Sequence, residues 1–326
     1  MLMTPEIRAA MDAVRKAAGL VSRIQAKLVT PSIAKSDRSP VTVADFASQA
    51  VISKYLQDIF PHDPLVGEEE AGVLQADGQA GNLAQVVDFV REVFPGATEL
   101  DVCQWIDRGG ATPGDRFWTV DPIDGTKGFL RGDQYAVALA LIVDGQVEVG
   151  VLGCPNLTDA GVPQFDGKGS LVVAARGQVR WFTPLADDEP LMRLHVSTCS
   201  AAEEARLLRS FESAHTNTDQ VAQLATVLGT HASPIRMDSQ AKYAVLASGH
   251  GELLIRLLSP DNMDYQEKIW DHAAGCLVVE EAGGRVTDIM GRPLDFSQGR
   301  TLASNRGVLA TNGLLHDAAL SSLAKL

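Results

Sequence analysis

The sequence FWTVDPIDGTKGF, residues 117–129, decides how the rest of the chain is interpreted. Its first four residues are aromatic or β-branched and predict a short buried strand that ends at Asp121. Pro122 and Gly125 then predict a turn, because both residues interrupt regular structure. Asp121 and Asp124 flank that turn, so their carboxylates can point into one small volume.

Two carboxylates this close to each other restrict the chemistry of the motif. Like charges raise each other's pKa unless cations lie between them. Mg²⁺ suits such a pair, since it commonly binds one or two carboxylates together with phosphate oxygens of a substrate. Thr126 follows at once, and its hydroxyl can hold a water molecule or contact a phosphate. Asp and Gly beside Pro are also ordinary turn residues, so the motif alone leaves a plain turn and a metal site open.

The composition restricts the class of partner. The chain has 326 residues, of which 45% are hydrophobic and 21% charged, and these values fit a globular protein long enough for two domains. The formal net charge of -13 argues against binding to nucleic-acid polymers, which requires a basic surface. A small anionic substrate stays compatible with this charge, because bound cations can reverse the local field.

The cysteines and the absence of long apolar runs indicate the compartment. None of the four cysteines forms a C-x-x-C pair, so no zinc site is expected and the thiols are expected to be reduced. No apolar run approaches the roughly 20 residues of a membrane span, and the N-terminus lacks the apolar core of a signal peptide. We therefore expect a cytoplasmic protein with no membrane partner.

Hydrophobic periodicity predicts that helices and strands alternate along much of the chain. Helices are expected over 5–28, 42–60, 83–94, 201–213, 220–228, 240–248, 270–282 and 314–324. Strands are expected over 65–66, 117–120, 135–143, 146–152, 171–175, 178–182, 194–197, 234–237, 252–257, 285–287 and 308–311. The pattern favours an α/β (α+β) protein with sheets packed by helices. A Gly-, Pro- and Asp-rich segment at 154–169 suggests an N-terminal domain over 1–155 and a C-terminal domain over 156–326.

Three further acids lie at the ends of predicted elements. Asp45 falls in the first turn of the second predicted helix, Glu68 follows the first predicted strand, and Asp271 begins a late helix. Each alone can be explained as dipole compensation, a solvated charge or a helix cap. Together with Asp121 and Asp124 they form the set of carboxylates that a phosphomonoesterase with two or three Mg²⁺ ions needs. No G-x-S-x-G elbow and no P-loop are present, so an activated water is the expected nucleophile.

Several longer motifs resemble the lithium-sensitive, Mg²⁺-dependent phosphatase superfamily that includes inositol monophosphatase and fructose bisphosphatase. The resemblance covers nearly the whole chain and is carried by SPVTVAD (39–45), VGEE (66–69), DPIDGTKGFLRG (121–132), DSQAKY (238–243) and YQEKIWDHAAG (265–275). The acidic motifs are common to the superfamily. The KGF at 127–129 and the segments 238–243 and 265–270 are similar to its bisphosphate nucleotidase branch.

The resemblance implies a role for each matching residue. The metal ligands would be Glu68, Asp121, Asp124, Asp271 and the carbonyl of Ile123. Asp45 and Thr126 would orient and deprotonate the attacking water. The substrate would be held by Gly125, Thr126, His215, Ser239, Lys242, Arg256 and Asp271, with helix N-termini near Gly125 and at Asp271 donating to phosphate oxygens. Sequence context alone also fits a solvated lysine at Lys242, a salt-bridge partner at Arg256 and a loop histidine at His215.

The same resemblance implies a fold and a reaction. The fold would be a layered αβαβα sandwich of the inositol monophosphatase/fructose-1,6-bisphosphatase type, and the chain would be a monomer. The reaction would be hydrolysis of the 3'-phosphate of 3'-phosphoadenosine 5'-phosphate, with the sulfated form as a further substrate and with inhibition by lithium. Glu70 and a somewhat long segment at 257–263 depart from the family pattern.

Two alternatives to this reaction stay open from the sequence. The first is inositol polyphosphate 1-phosphatase or inositol monophosphatase activity, against which the segment 238–243 argues. The second is a non-catalytic nucleotide- or metal-binding protein, against which the complete set of acids argues.

Overall fold

The computed structural model describes residues 3–27, 33–34, 40–41, 43–158, 168–187, 190–211, 218–258 and 264–326. The helices within them are α1 (Pro5–Lys27), α2 (Val43–Ile59), α3 (Gly72–Gln75), α4 (Ala80–Arg91), α5 (Glu99–Asp107), α6 (Thr126–Arg131), α7 (Thr218–Leu228), α8 (Ala241–Ala247), α9 (Ala273–Glu281) and α10 (His316–Leu323). Short 3₁₀ helices span Ala202–Glu204 and Ile269–Asp271.

The strands are β1 (Ile33–Ala34), β2 (Pro40–Val41), β3 (Leu65–Gly67), β4 (Arg116–Asp124), β5 (Ala136–Val143), β6 (Gln146–Cys154), β7 (Ser170–Ala175), β8 (Val179–Pro184), β9 (Met192–Arg193), β10 (Leu207–Arg209), β11 (Ile235–Arg236), β12 (Leu253–Arg256), β13 (Arg285–Thr287) and β14 (Val308–Thr311). β1 and β2 form a short antiparallel pair.

The remaining strands form two sheets. The larger sheet has seven strands in the order β3-β4-β5-β6-β7-β8-β9, and only its first pair, β3 with β4, is parallel. The smaller sheet has five strands in the order β11-β10-β12-β14-β13. In this sheet β10 runs parallel to both β11 and β12, whereas β14 is antiparallel to β12 and β13.

Helices cover both faces of each sheet, which produces five layers. α1 and α2 pack on one face of the larger sheet in a common core. α8 and α9 lie between the two sheets in a second core, and α7 and α10 pack on the outer face of the smaller sheet in a third. The αβαβα layering expected from the sequence is therefore confirmed.

The first helix shows how local sequence produces this packing. Thr4 Oγ1 accepts a hydrogen bond from Ile7 N at 3.4 Å, which satisfies one of the free N–H groups at the start of the helix. The helix can approach β6 closely because Gly153 lacks a side chain. A Cβ at Gly153 would lie 2.7 Å from Val14 Cγ1 and 2.9 Å from Ala18 Cβ.

Two elements near residue 200 differ from the prediction. The predicted helix at 201–213 is a 3₁₀ helix followed by β10, and the predicted strand at 194–197 is not a strand, since β9 ends just before it. The segment contains good helix formers, but Leu208 pairs with β11 on one side and with β12 on the other. Pairing on both sides outweighs a weak local helix preference.

The region between β3 and β4 contains α3, α4 and α5, whereas the sequence analysis predicted a single helix there. The signal for α5 is a capping box. Thr98 Oγ1 accepts from Asp101 N at 3.2 Å, and Asp101 Oδ2 accepts from Thr98 N at 2.9 Å.

The larger sheet takes strands from both sides of the predicted boundary at 155/156. β7, β8 and β9 follow that position in the chain and extend the sheet beyond β6. The division into two domains stays a prediction. Among the helices of the described residues, none combines the length and the apolar character needed to cross a bilayer.

Candidate active site

Asp121 and Asp124 both lie within β4, which corrects the prediction that a turn separates them. Asp121 pairs with Ala138 and Asp124 pairs with Ala136, so three steps along β4 match two steps along β5. The extra residue is a β-bulge. Side chains alternate between the faces of a regular strand, and residues three apart would face opposite ways. The bulge allows one strand to direct both carboxylates toward a common volume.

Gly125 connects the end of β4 to α6. Its φ of 86° is left-handed, and a Cβ at this position would lie 2.9 Å from Ser239 Cβ, so glycine is needed for both reasons. Ser239 itself has a φ of 70°, which is uncommon for a residue with a side chain. Thr126, the first residue of α6, donates a hydrogen bond from Oγ1 to the carbonyl of Ile123 at 3.2 Å.

Asp121 is at the centre of a cluster of carboxylates. Burial is the main reason that its pKa lies well above the usual range, and four negative charges raise it further: Glu68, Asp124, Asp271 and Asp45. All five acids selected from the sequence therefore interact across this volume. Asp121 Oδ1 is buried and has no hydrogen-bond partner within the described part of the chain.

Asp271 approaches the cluster from the layer of helices between the two sheets. Burial raises its pKa well above the usual range, the charge of Arg256 opposes that shift, and Asp124 and Glu68 add to it. The Arg256 Nη2 atom lies 3.9 Å from Asp271 Oδ2. Asp271 ends the 3₁₀ helix that precedes α9, so the middle layer of the fold delivers this carboxylate.

Gln240 connects the end of β4 to the segment around Asp271. Its backbone N–H donates to Asp124 Oδ2 at 2.7 Å. Its side-chain amide donates to the carbonyl of Trp270 at 2.9 Å and accepts from Gly275 N at 3.1 Å. Burial raises the pKa of Asp124, while Lys242 and the backbone N–H of Gln240 act in the opposite direction. Gln240 lies in a motif selected from the sequence, but the sequence analysis gave it no role.

Two cations lie beside the acids. Burial lowers the pKa of Lys242 to about 8, and the charges of Asp124 and Asp238 limit that shift. Lys242 Nζ donates to the carbonyl of Met237 at 3.4 Å. Burial acts to lower the pKa of Arg256, but the carboxylates of Glu267 and Asp271 raise it above its usual value.

A chain of buried polar side chains holds Arg256 in place. Arg256 Nε donates to Glu267 at 2.8 Å, and Glu267 Oε2 lies 3.1 Å from His272 Nε2. His272 Nδ1 in turn lies 2.8 Å from the Tyr243 hydroxyl. Despite burial, the charge of Arg256 and the hydrogen bond with His272 lower the pKa of Glu267 to about 2. Glu267 therefore stays ionised and neutralises the guanidinium.

Gln49 holds the segment that carries Glu68. This fully buried side chain donates from Nε2 to the carbonyls of Glu69 at 2.7 Å and Ile106 at 2.8 Å, and its Oε1 accepts from Glu69 N at 3.0 Å. Gln49 lies one turn after Asp45 in α2, so the helix that carries one acid also fixes the loop that carries another. Gln49 is not among the site residues predicted from the sequence.

Asp238 fixes the start of the segment 238–243. One of its carboxylate oxygens accepts from Arg131, which also donates to Asp133 Oδ2 at 2.8 Å. The other accepts from Phe211 N at 3.2 Å. The guanidinium of Arg131 lies 5.6 Å from the centre of the Phe211 ring. These contacts join the end of α6 to the segment that leads into Ser239.

The donor set suits a hard divalent cation. Mg²⁺ prefers carboxylate and carbonyl oxygens, and the cluster offers four clustered carboxylates besides Asp45, together with the nearby carbonyl of Ile123. Asp121 Oδ1 is buried and has no partner among the residues that the structure describes, and the pKa values of Asp121, Asp124 and Asp271 are raised. A cation between these carboxylates would relieve both conditions.

The structure brings most of the predicted site residues into one region. Their roles stay predictions, and His215 lies outside the described residues. The residues in contact or in electrostatic interaction are Asp45, Glu68, Asp121, Ile123, Asp124, Gly125, Thr126, Ser239, Lys242, Arg256 and Asp271.

The fold and this site define a known class of phosphatase. A family model described as "Inositol monophosphatase family" matches residues 3–325. The chain belongs to the inositol monophosphatase family, whose members are generally Mg²⁺-dependent.

Individual relatives are more specific. The chain is 41% identical over 325 residues to the 3'(2'),5'-bisphosphate nucleotidase of Schizosaccharomyces pombe. The aligned region covers 94% of this chain and 91% of that protein. It is 39% identical over 339 residues to the 3'(2'),5'-bisphosphate nucleotidase of Emericella nidulans, which covers 96% of each. Among solved structures, the fold is similar to that of the Thermotoga maritima IMPase, with a TM-score of 0.68, 20% identity and coverage of 99% of this chain and 98% of that one.

Proposed function

We propose that this chain is a Mg²⁺-dependent 3'(2'),5'-bisphosphate nucleotidase, which hydrolyses 3'-phosphoadenosine 5'-phosphate to AMP and phosphate. The observation that carries the proposal is the cluster of carboxylates around Asp121, with Lys242 and Arg256 beside it. The named relatives support the nucleotide as substrate.

Two or three Mg²⁺ ions would be held by Glu68, Asp121, Asp124, Asp271 and the carbonyl of Ile123. When bound, the ions supply charge neutralisation for the phosphoryl group and for the leaving oxygen. Asp121 Oδ1, which has no hydrogen-bond partner among the described residues, supports this assignment.

Asp45 and Thr126 would act on the attacking water. Thr126 Oγ1 is held at the carbonyl of Ile123, so its oxygen is fixed beside the carboxylate cluster. The water oxygen forms a bond to phosphorus, and the bond between phosphorus and the 3'-oxygen breaks. For the proton transfer, the Thr126 hydroxyl turns its proton from the Ile123 carbonyl to the carboxylate of Asp45. Thr126 Oγ1 then accepts the proton of the water as its own proton passes to Asp45, and the 3'-oxygen is protonated from solvent. This is positioning and general-base chemistry without a covalent enzyme intermediate.

Ser239, Lys242, Arg256 and, outside the described residues, His215 would bind the nucleotide and its phosphates. Lys242 is a buried cation and Arg256 a half-buried one within an acidic protein, and phosphate oxygens complement both. Gly125 and Asp271 precede α6 and α9, whose first N–H groups would add donors to phosphate oxygens. The sulfated form of the nucleotide fits the same proposal as a further substrate.

The proposal includes a cytoplasmic monomer. The free thiols of Cys103, Cys154, Cys199 and Cys276 support a reducing compartment. Gel filtration with light scattering measures the oligomeric state directly.

Phosphate release with Mg²⁺ tests the function. We expect fast release from 3'-phosphoadenosine 5'-phosphate that lithium inhibits, and little release from inositol 1,4-bisphosphate. Preference for the inositol substrate would retain the metal site but overturn the roles of Ser239, Lys242 and Arg256. Absence of release from both would favour a non-catalytic binding protein.

A further inference from the structure

The backbone around Arg300 is hydrogen-bonded to the backbone of the segment that leads to Asp271. Ile269 N donates to the carbonyl of Arg300 at 3.2 Å, and Leu302 N donates to the carbonyl of Glu267 at 2.8 Å. These two bonds form a short antiparallel bridge just before the 3₁₀ helix that ends at Asp271. Arg300 and Asp271 are therefore held together through the main chain.

The side chain of Arg300 reaches the segment that carries Glu68. Its Nη2 donates to the carbonyl of Gly67 at 2.6 Å, and its Nη1 donates to the carbonyl of Gly109 at 3.1 Å. The Gly109 carbonyl also accepts from Gly67 N at 2.8 Å. Gly67 is the residue before Glu68, so the guanidinium fixes the peptide from which that carboxylate projects.

The same guanidinium packs on Trp270. Its central carbon lies 4.9 Å from the centre of the indole ring, within the range of a cation–π contact. Trp270 is 6% exposed and directly precedes Asp271. Arg300 thus contacts the neighbours of two acids, Glu68 and Asp271, that come from different layers of the fold.

We propose that Arg300 is a positioning residue that sets the separation of Glu68 and Asp271. Its planar fork bonds two carbonyls while its face packs on the indole, which a lysine side chain cannot reproduce. The inference rests on the proposed function, because both acids act there as Mg²⁺ ligands. Groups that orient metal ligands commonly change metal affinity about 10- to 100-fold when they are removed.

The test measures Mg²⁺ binding by calorimetry in R300M and R300K, together with the Mg²⁺ concentration that gives half-maximal phosphate release. We expect the Mg²⁺ dissociation constant of R300M to rise about tenfold. R300K should show a smaller rise, because it keeps the charge but not the fork. R285M is the matched control, since Arg285 pairs only at the surface, with Asp317 at 2.8 Å, and its Mg²⁺ affinity should equal that of the wild type.

The outcomes separate this inference from the proposed function. Wild-type Mg²⁺ affinity in R300M, even with a lower unfolding temperature, would show that Arg300 is merely structural and would overturn the inference. If R300M does not fold, wild-type affinity in R300K would overturn it in the same way. A wild-type chain that binds no Mg²⁺ would instead overturn the proposed metal site, and the inference with it.

Discussion

The site has an acid side, formed by Asp45, Glu68, Asp121, Asp124 and Asp271, and a cation side, formed by Lys242 and Arg256. On the cation side, Arg256 has a protein partner in Glu267, whose pKa is lowered to about 2. On the acid side, the pKa values of Asp121 and Asp271 are raised well above the usual range by burial and by the charges of neighbouring acids. The protein therefore neutralises Arg256 internally, whereas the raised pKa values on the acid side are what an added cation would relieve.

The largest expected effect comes from the centre of the acid side. D121N should lower the turnover of 3'-phosphoadenosine 5'-phosphate by more than about 10²-fold, because it removes a proposed Mg²⁺ ligand. In metal-free protein the same change removes a source of repulsion, so its unfolding temperature should rise. Steady-state kinetics and thermal unfolding measure the two effects.

D317N is the control for this substitution, since Asp317 is 87% exposed and lies in a surface ion pair. It should change neither quantity. Wild-type turnover in D121N would mean that the acid side does not hold the catalytic ions.

The next effect concerns the internal pair on the cation side. R256M leaves the carboxylate of Glu267 buried without its guanidinium and should lower the free energy of unfolding by roughly 2 kcal/mol. This value is below the 3–5 kcal/mol typical of a fully buried pair, because Arg256 is 25% exposed.

Urea unfolding measures the change, and R285M, which breaks a surface pair, should cost less than about 1 kcal/mol. The double variant R256M/E267Q should recover part of the loss. Equal costs for R256M and R285M would contradict the comparison between the two sides of the site.

Lys242 makes the charge of the cation side depend on pH. Its pKa of about 8 means that the side chain is charged below that pH and neutral above it. If Lys242 binds a substrate phosphate, kcat/KM should fall roughly fivefold to tenfold between pH 7.5 and 9, since this ratio reports the free enzyme.

K242R should flatten the fall, because a guanidinium stays charged over this range. K242M should lower kcat/KM at every pH. A wild-type profile that K242R leaves unchanged would assign the fall to another group.

The smallest effect tests the contact between Gly125, which follows Asp124 of the acid side, and Ser239, which precedes Lys242 of the cation side. Gly125 and Gly78 both have positive φ values, of 86° and 85°, but only Gly125 has a neighbour close to the position of a Cβ. G78A therefore measures the backbone cost alone, about 1 kcal/mol. G125A should cost about 1 kcal/mol more, because Ser239 must move. Equal unfolding free energies for the two variants would show that the Ser239 segment yields freely.

Residues that lie close together in the sequence could be predicted well. The strands predicted at 135–143 and 146–152 correspond to β5 and β6, whose bounds lie within two residues of the prediction, because Asp144-Gly145 between them is a strong local turn signal. The acids were found because each follows or begins a regular element. The bulge in β4 was predicted as a turn, since Pro122 and Gly125 give the same local signal in both cases, and only the pairing with β5 distinguishes them.

Residues that act through distant main-chain groups could not be predicted. Arg300 and Gly67 are separated by 233 positions, and Gln49 holds the carbonyl of Ile106 at a separation of 57. A side chain that donates to a carbonyl can be aimed at any residue type, so the partner leaves no mark in the sequence. The helix predicted at 201–213 failed for a related reason, because the strands on either side of β10 come from later parts of the chain.

The position of α9 between the two sheets has a consequence for the order of synthesis. Glu68, Asp121 and Asp124 belong to the larger sheet and leave the ribosome early, whereas Asp271 and Arg300 follow much later and depend on α9 being docked. A growing chain therefore lacks part of the proposed metal site until both sheets have packed against α9. Completion of the proposed Mg²⁺ site would therefore come late in folding, when Asp271 joins the acids of the larger sheet.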